Sequence, residues 1–167
     1  MTYRRSMQCA CGAVECAITA PPIGTAVCYC ADCQAAARMI EAEGHGPAVA
    51  DADGGTALAL IRNDRFALLK GEEHMTAHKL RPDSPTSRLV AGCCNSAMFI
   101  AFDDWRFWKS TMIERWTGDK PAIEMRLEVR DRTSDLPFPD DVPRYPTFPK
   151  TFLIRILRQW VAFKLAH

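Results

Sequence analysis

Short runs of alternating apolar and polar residues, separated by turn-forming residues, occupy most of the chain. This pattern predicts strands over residues 13–19, 23–28, 56–61, 65–69 and 74–80, and residues 88–92 lead into the cysteine pair at 93–94. Two further apolar stretches cover residues 98–102 and 107–116. The alanine-rich residues 34–40 predict a short helix. Strands this short, with turns at this spacing, indicate a mainly β domain.

The C-terminal part of the chain has a different pattern. Residues 134–150 contain five prolines, so we expect an extended segment that wraps over the domain or serves as a linker. Apolar residues at helical spacing then predict an amphipathic helix, which Thr151 could cap and which runs to Ala166. Its apolar face could dock on its own domain, on a second subunit of a homo-oligomer, or on a membrane surface. The predicted units are therefore a β domain over 1–133, a proline-rich segment over 134–150 and a C-terminal amphipathic helix over 151–167.

Composition and charge narrow the class of protein. The 167 residues suffice for one domain with a core, and 48% apolar with 25% charged residues is typical of a soluble globular protein. A formal net charge of +1 gives no bias towards nucleic acid, and no basic stripe interleaved with aromatic residues is present. No apolar run reaches the length of a transmembrane segment, and the N-terminus lacks the apolar core of a signal peptide. We therefore expect a cytoplasmic protein, in which clustered cysteines more often bind metal than form disulfides.

Eight cysteines point to metal chemistry. Cys28, Cys30 and Cys33 place three thiols within six residues, and three thiolates repel one another unless a cation lies between them. Zn²⁺ is the usual cation for cysteine ligands in a reducing compartment. Cys9 and Cys11 precede Gly12, which allows a tight turn beside a metal. A hairpin of the strands at 13–19 and 23–28 would bring the two groups to the same end of a sheet. Cys16 lacks a partner at metal spacing, which favours a buried strand position.

These motifs resemble those of the glutathione-dependent formaldehyde-activating enzymes, a family that includes centromere protein V. The matches are the Cys-x-Cys-Gly at 9–12, the Cys-x-Cys-x-x-Cys at 28–33 and a later cysteine knuckle around Cys94. The glycine turns at 54–56 and 71–73 are also similar. The resemblance covers residues 7–116.

This resemblance implies stacked β-sheets pinned by one or two zinc ions, often called a β-tent. It implies a structural zinc held by Cys9, Cys11 and the knuckle. It also implies a second zinc held by Cys28, Cys30 and Cys33, the catalytic residues, with one coordination position open. There the protein would join glutathione, or a similar small thiol, to formaldehyde, formally a carbon–sulfur lyase reaction run in reverse. The alternative is a non-catalytic zinc-stabilised β module that binds a protein or a small molecule.

The knuckle departs from the usual Cys-x-x-Cys-Gly of this family. Its first position is Ala91, its second is Cys94, and Asn95 replaces the glycine but can still adopt a left-handed turn. Cys93 has three alternatives. It replaces the missing ligand through a local bend, or the site has three protein thiolates and a water instead, or Cys93 reaches the metal of Cys28, Cys30 and Cys33.

Other residues carry weaker predictions. Tyr29 stands where the family often has histidine, so it could donate a hydrogen bond to a sulfur or a ligand, or simply pack. His45 is the best of the four histidines for a substrate role. Asp51 and Asp53 could contact an ammonium group, but such residues in a glycine-rich loop are usually solvated turn formers. The remaining prediction concerns three tryptophans, which we expect to cover the core: Trp105, Trp108 and Trp116.

Overall fold

A computed structural model describes residues 3–166 of the chain. Its strands are β1 (Arg5–Gln8), β2 (Glu15–Ile18), β3 (Gly24–Cys28), β4 (Thr56–Arg62), β5 (Phe66–Lys70), β6 (Met75–His78), β7 (Thr86–Ala91), β8 (Ser96–Phe102), β9 (Trp108–Met112) and β10 (Met125–Leu127). Its α-helices are α1 (Ala31–Glu43) and α2 (Lys150–Leu165), with short 3₁₀ turns between some strands. The prediction of a mainly β fold with a C-terminal helix is therefore confirmed.

The strands form two sheets. The smaller has the order β1-β2-β5 and the larger has the order β10-β3-β4-β9-β8-β7-β6. The predicted hairpin of β2 and β3 is wrong, because β2 pairs with β1 and β5 whereas β3 pairs with β4 and β10. Pro21 and Pro22 lie in the connection, fix its backbone and remove two N–H donors, so the chain crosses to the other sheet instead of turning back.

The main core lies between these sheets. Met7 and Ile18 from the smaller sheet and Ile61 and Met98 from the larger one share a single buried cluster, which Trp116 completes. Side chains from two facing sheets that interdigitate in this way define stacked sheets. Cys16 belongs to the same cluster and is fully buried, as its position predicted.

The proline-rich segment and α2 pack on the larger sheet. Arg126 of β10 donates its backbone N–H to the carbonyl of Pro143 (2.9 Å), and Tyr145 donates to the carbonyl of Arg126 (2.9 Å). Phe152 anchors α2: it is 1% exposed, and a Cβ at Gly24 would come within 2.4 Å of its ring. Glycine at this position of β3 therefore leaves the space that the phenylalanine fills.

Two further predictions are wrong, one on the cap of the C-terminal helix and one on Trp105. Helix α2 begins at Lys150 after Pro149, and no side chain caps it, so Thr151 lies inside the first turn. Trp105 does not cover the core but is 72% exposed, whereas Trp108 and Trp116 are buried. Trp105 follows two aspartates in a bend outside the strands, where no sheet covers it. The last predicted helical residue, His167, lies outside the described residues.

Candidate metal centres

Two groups of cysteines bring their sulfur atoms close enough to hold a metal ion. The four-thiol cluster comprises Cys9, Cys11, Cys93 and Cys94, and the three-thiol cluster comprises Cys28, Cys30 and Cys33. In each group the Sγ atoms all lie within 4.8 Å of one another. The remaining cysteine, Cys16, belongs to neither group, and burial raises the pKa of its thiol to about 12.

The spacing within the four-thiol cluster fits a tetrahedral ion. The Sγ atom of Cys93 lies 3.4 Å from that of Cys11 and 3.9 Å from those of Cys9 and Cys94. Cys9 and Cys11 are separated by 3.6 Å. Four sulfurs at the usual Zn–S distance would be about 3.8 Å apart. The donor set therefore suits zinc in both number and spacing.

The turn between β1 and β2 supplies Cys9 and Cys11. Gly12 has φ of +77°, which lets the backbone reverse immediately after Cys11. Cys9 donates its N–H to the carbonyl of Val14 (3.1 Å), and the N–H of Val14 points back at the Cys9 sulfur (3.2 Å). These two hydrogen bonds fix the turn and the position of the Cys9 sulfur.

The turn between β7 and β8 supplies Cys93 and Cys94. Asn95 follows with φ of +48°, as predicted for the residue in the glycine position. Its amide donates to the carbonyls of Ile40 (2.8 Å) and Gly44 (3.2 Å), which ties this turn to the end of α1. The bend brings the Cys93 sulfur towards Cys9 and Cys11. Of the three alternatives for Cys93, this geometry favours replacement of the missing knuckle ligand.

Ser96 joins the two turns behind the sulfurs. Its hydroxyl accepts the backbone N–H of Ala10 (3.0 Å) and lies 3.1 Å from the Cys94 sulfur, to which it can donate. Burial raises the pKa of Cys94, but the hydrogen bonds from Ser96 and Cys11 outweigh it and lower the pKa to about 6. This buried serine thus favours a thiolate at Cys94 and orients it.

The three-thiol cluster lies where β3 ends and α1 begins. Cys28 is the last residue of β3, and Cys30 precedes the first turn of α1. The Cys30 sulfur accepts the N–H of Cys33 (3.3 Å), so it takes the position of a helix-capping oxygen. The N-terminus of a helix carries partial positive charge, which favours thiolates there.

The three sulfurs share protons among themselves. Hydrogen bonds from Cys28 and Cys33 lower the pKa of Cys30 to about 3. The same contact with Cys30 raises the pKa of Cys28 to about 12, and hydrogen bonds with Cys28 and Cys30 raise the pKa of Cys33. Because metal ligands must be thiolates, a divalent cation bound by all three sulfurs would displace the protons that they hold.

A cavity of about 190 Å³ adjoins the three-thiol cluster. All three cysteines contribute to one part of its wall, and Arg88 and Arg106 bring positive charge to it. Asp32, Thr86 and Ser110 are the other polar residues of the wall, and the rest is apolar, with Leu58, Leu60, Ile100, Phe102, Trp108, Leu127 and Phe148 as its largest side chains. The four-thiol cluster differs, because two open surface depressions border it.

A buried polar network supports the three-thiol cluster from behind. Tyr29 is fully buried and donates its hydroxyl to Asp53 (2.6 Å), while Arg126 donates to the same tyrosine oxygen. Gln34 of α1 donates to the carbonyl of Tyr29 (2.6 Å). Tyr29 therefore packs and bonds to a carboxylate. The prediction that Asp53 is a solvated turn former is wrong: it is 9% exposed, because Tyr29 and Arg132 cover it.

Sequence reasoning missed Arg88, which lines the cavity beside the three-thiol cluster, and Arg126, which bonds to Tyr29. For Arg88 the available signal was a charged residue directly before the apolar residues Leu89 and Val90. His45, in contrast, lines a surface depression with Cys11 and Cys94, away from the cavity of the three-thiol cluster. The glycine-rich loop thus places this histidine next to the other group of cysteines.

No helix within residues 3–166 combines the length and the apolar character needed to cross a membrane.

Fold and site together define a mainly β protein of stacked sheets with two cysteine groups that could each hold a metal ion. Residues 1–164 match a family described as "Family of unknown function (DUF6151)", and the chain belongs to that family. A search of curated proteins finds no match. Among solved structures, a crystal structure of a Rhodobacter sphaeroides protein from a structural genomics project is 16% identical, with a TM-score of 0.52. The match covers 84% of this chain and 99% of that one, and at this identity it shows a shared fold.

Proposed function

We propose that both cysteine clusters bind zinc and that they have different tasks. Cys9, Cys11, Cys93 and Cys94 would hold a structural zinc with a complete set of four thiolates. Cys28, Cys30 and Cys33 would hold a second zinc and leave one coordination position for a ligand. Closed four-ligand sites are typical of structural zinc and open three-ligand sites of catalytic zinc. A reducing compartment such as the cytoplasm would keep these thiols free to bind it.

The activity that we propose is the addition of a small thiol, such as glutathione, to formaldehyde or a related aldehyde. The observation that carries this proposal is the cavity of about 190 Å³ next to the three-thiol cluster. The resemblance of the cysteine motifs to those of the formaldehyde-activating enzymes supports it. Zinc at the three-thiol cluster would act as a Lewis acid that favours the deprotonated form of a bound thiol.

The chain's own residues would bind and shield the reactants. Apolar side chains around the cavity exclude water, which strengthens electrostatic interactions within it. In the net reaction the thiol loses its proton, its sulfur forms a bond to the carbonyl carbon, and the π electrons of the carbonyl move to oxygen. The oxygen then takes up a proton. The product is a hemithioacetal, and neither an oxidant nor a reductant is required.

The test measures metal content and reaction rate on the same sample. We expect two zinc ions per chain by elemental analysis. We also expect hemithioacetal formation from glutathione and ¹³C-formaldehyde, followed by NMR exchange, to exceed the rate without protein. The control is protein from which metal has been removed and then restored. Zinc-loaded protein that neither binds thiols nor accelerates the reaction would contradict the proposal.

The second candidate is a non-catalytic zinc-stabilised module that binds another protein. Its support is the outer face of α2, which exposes Leu153, Ile154, Leu157, Trp160, Val161 and Leu165. A homo-oligomer formed through this face is one form of the same proposal. Light scattering of the wild type and of Leu157→Glu tests it, because a charge on the contact face would dissociate the oligomer. One zinc per chain together with self-association would favour this candidate over the enzyme, and a monomeric wild type would contradict the homo-oligomer.

A further inference from the structure

Arg88 is a buried cation whose hydrogen-bonding capacity is largely unused. It lies on β7, is 3% exposed, and donates from Nη2 to the backbone carbonyl of Asp32 (3.3 Å). Among residues 3–166, no group accepts a hydrogen bond from its Nε or Nη1 atoms. Asp32 lines the same cavity, and its carboxylate lies 3.8 Å from Arg81, whereas the hydrogen bond from Arg88 goes to its backbone carbonyl. A guanidinium cannot lose its charge, and buried donors without acceptors are costly.

The other arginines in comparable positions are satisfied. Arg106 lines the same cavity, but its guanidinium binds Asp104 and stacks 3.7 Å from the centroid of the Phe102 ring. Arg62 donates to both carboxylate oxygens of Asp64 (2.9 and 2.7 Å). Arg126, the other buried arginine among the described residues, is 6% exposed and donates to both carboxylate oxygens of Asp141 (3.2 and 2.9 Å). Arg88 therefore differs from Arg126 in that two of its nitrogens have no acceptor.

Two local explanations account for only part of the unused hydrogen-bonding capacity of Arg88. Zinc with three thiolates carries one negative charge, which Arg88 could balance at a distance, but that leaves its N–H groups without acceptors. Arg88 and the unpartnered Thr56 hydroxyl also line a separate cavity of about 10 Å³, roughly the space of one water. One water accepts two hydrogen bonds at most, while Nε and Nη1 together offer three N–H groups. Donors therefore remain for a ligand in the larger cavity.

We infer that the cavity beside the three-thiol cluster binds a compact carboxylate whose anionic group is held by Arg88. A carboxylate matches a guanidinium in charge and in geometry. The apolar wall suits a short hydrocarbon body between this group and the sulfurs. This inference names the ligand class of the proposed enzyme site, and it rests on the proposed function only for the thiol end of the ligand.

The cavity has room for a short ligand. On the scale at which about 10–15 Å³ holds one water, its volume of about 190 Å³ accommodates a compact mercapto-carboxylic acid. Such a thiol, with its carboxylate close to its sulfur, would extend from Arg88 to the three-thiol cluster.

The test compares ligands that differ in one group. Zinc-loaded protein is titrated calorimetrically with 3-mercaptopropionate, with its neutral amide and with butyrate, which lacks the thiol. We expect the carboxylate thiol to bind about 10- to 100-fold more tightly than the amide, as for hydrogen bonds between charged partners. In Arg88→Met this preference should fall to about twofold or less, and Arg88→Lys should restore part of it. Arg62→Gln, at a paired arginine away from the cavity, should leave the preference unchanged.

The outcomes separate this inference from the proposed function. Equal affinity of the wild type for acid and amide would overturn the anion site, and this comparison needs no variant to fold. A lower melting temperature of Arg88→Met with an unchanged acid preference would also overturn it and would leave a structural water as the role of Arg88. If butyrate binds in a way that depends on Arg88, and the thiol group of 3-mercaptopropionate adds no affinity, the anion site is supported and the proposed enzyme is contradicted. Failure of all three ligands to bind would overturn the anion site.

Discussion

The two cysteine clusters of this protein use the same ligand atom but are built in opposite ways. The four-thiol cluster combines two turns whose cysteines are 84 residues apart, as Cys9 and Cys93 show. The three-thiol cluster is local, at the junction of one strand and one helix. The first cluster borders open surface and has a full set of sulfurs, whereas the second adjoins a cavity and lacks a fourth sulfur. Long-range ligands favour a structural role, and local ligands beside a cavity favour a chemical one.

The largest expected effect comes from breaking the four-thiol cluster. Cys9→Ser should lower the free energy of unfolding by more than about 4 kcal/mol, in the range that loss of a structural metal reaches. The reason is that the cluster ties the β1–β2 turn of one sheet to the β7–β8 turn of the other. Thermal unfolding followed by circular dichroism measures this. Cys16→Ala, at a buried thiol outside both clusters, is the matched control and should cost less; equal losses for the two variants would contradict a structural cross-link.

Breaking the three-thiol cluster should affect activity more than stability. Cys30→Ser should reduce the acceleration of hemithioacetal formation by at least about 100-fold, because Lewis-acid stabilisation of charge is worth several kcal/mol. Its melting temperature should change less than that of Cys9→Ser. The measurement is the NMR exchange rate together with a melting curve for each variant. If Cys30→Ser unfolds the protein as Cys9→Ser does, the division of tasks is wrong.

Gly55 tests how tightly the residues on either side of Cys28 are packed. A Cβ at Gly55 would come within 2.3 Å of Val27 and 2.8 Å of the Tyr29 ring, on either side of Cys28. Gly55→Ala should therefore destabilise the protein by about 1–3 kcal/mol, as expected for overpacking. Denaturant unfolding measures the cost. Gly44→Ala is the control, because its nearest contact would be an ordinary 3.5 Å; a similar cost for both variants would contradict tight packing at Tyr29.

The smallest expected effect concerns the serine behind the four-thiol cluster. Ser96→Ala removes the hydroxyl that can donate to Cys94, and we expect zinc affinity to fall about 10-fold. Competition with a chromophoric chelator measures the affinity of each site. Ser87→Ala, at a buried serine on the neighbouring strand β7, should leave it unchanged. An unaltered affinity in Ser96→Ala would show that the thiols need no orienting hydroxyl.

The contrast between a local and a long-range cluster also explains what could be predicted from the sequence. The proximity of Cys28, Cys30 and Cys33 follows from their spacing at a strand–helix junction, so local reasoning sufficed. The position of Cys93 could not be derived, because it depends on the bend at Asn95 and on a turn far away in sequence. Strand β10 was missed because three residues are too few for a recognisable pattern, and it exists through its parallel pairing with β3. The roles of Asp53 and Arg88 were hidden for a related reason, since burial is set by the packing of other elements.

The division of the chain into residues 1–133, 134–150 and 151–167 stays a prediction. The hydrogen bonds of Arg126 to Pro143 and Tyr145 show that the proline-rich segment runs beside β10. Sequence periodicity identified α2 correctly, but its capping was misjudged because the N-cap residue is Pro149, two positions before the predicted Thr151.

The separation of Cys9 from Cys93 also has a consequence for synthesis. During translation the local cluster is available as soon as Cys33 has left the ribosome, and closing its short loop costs little entropy. The other cluster stays incomplete until Cys93 and Cys94 have emerged and both sheets have begun to form. The nascent chain would therefore acquire its three-thiol cluster first and its four-thiol cluster last, so a ribosome stalled between these points would present three closely spaced thiols before the two sheets are linked.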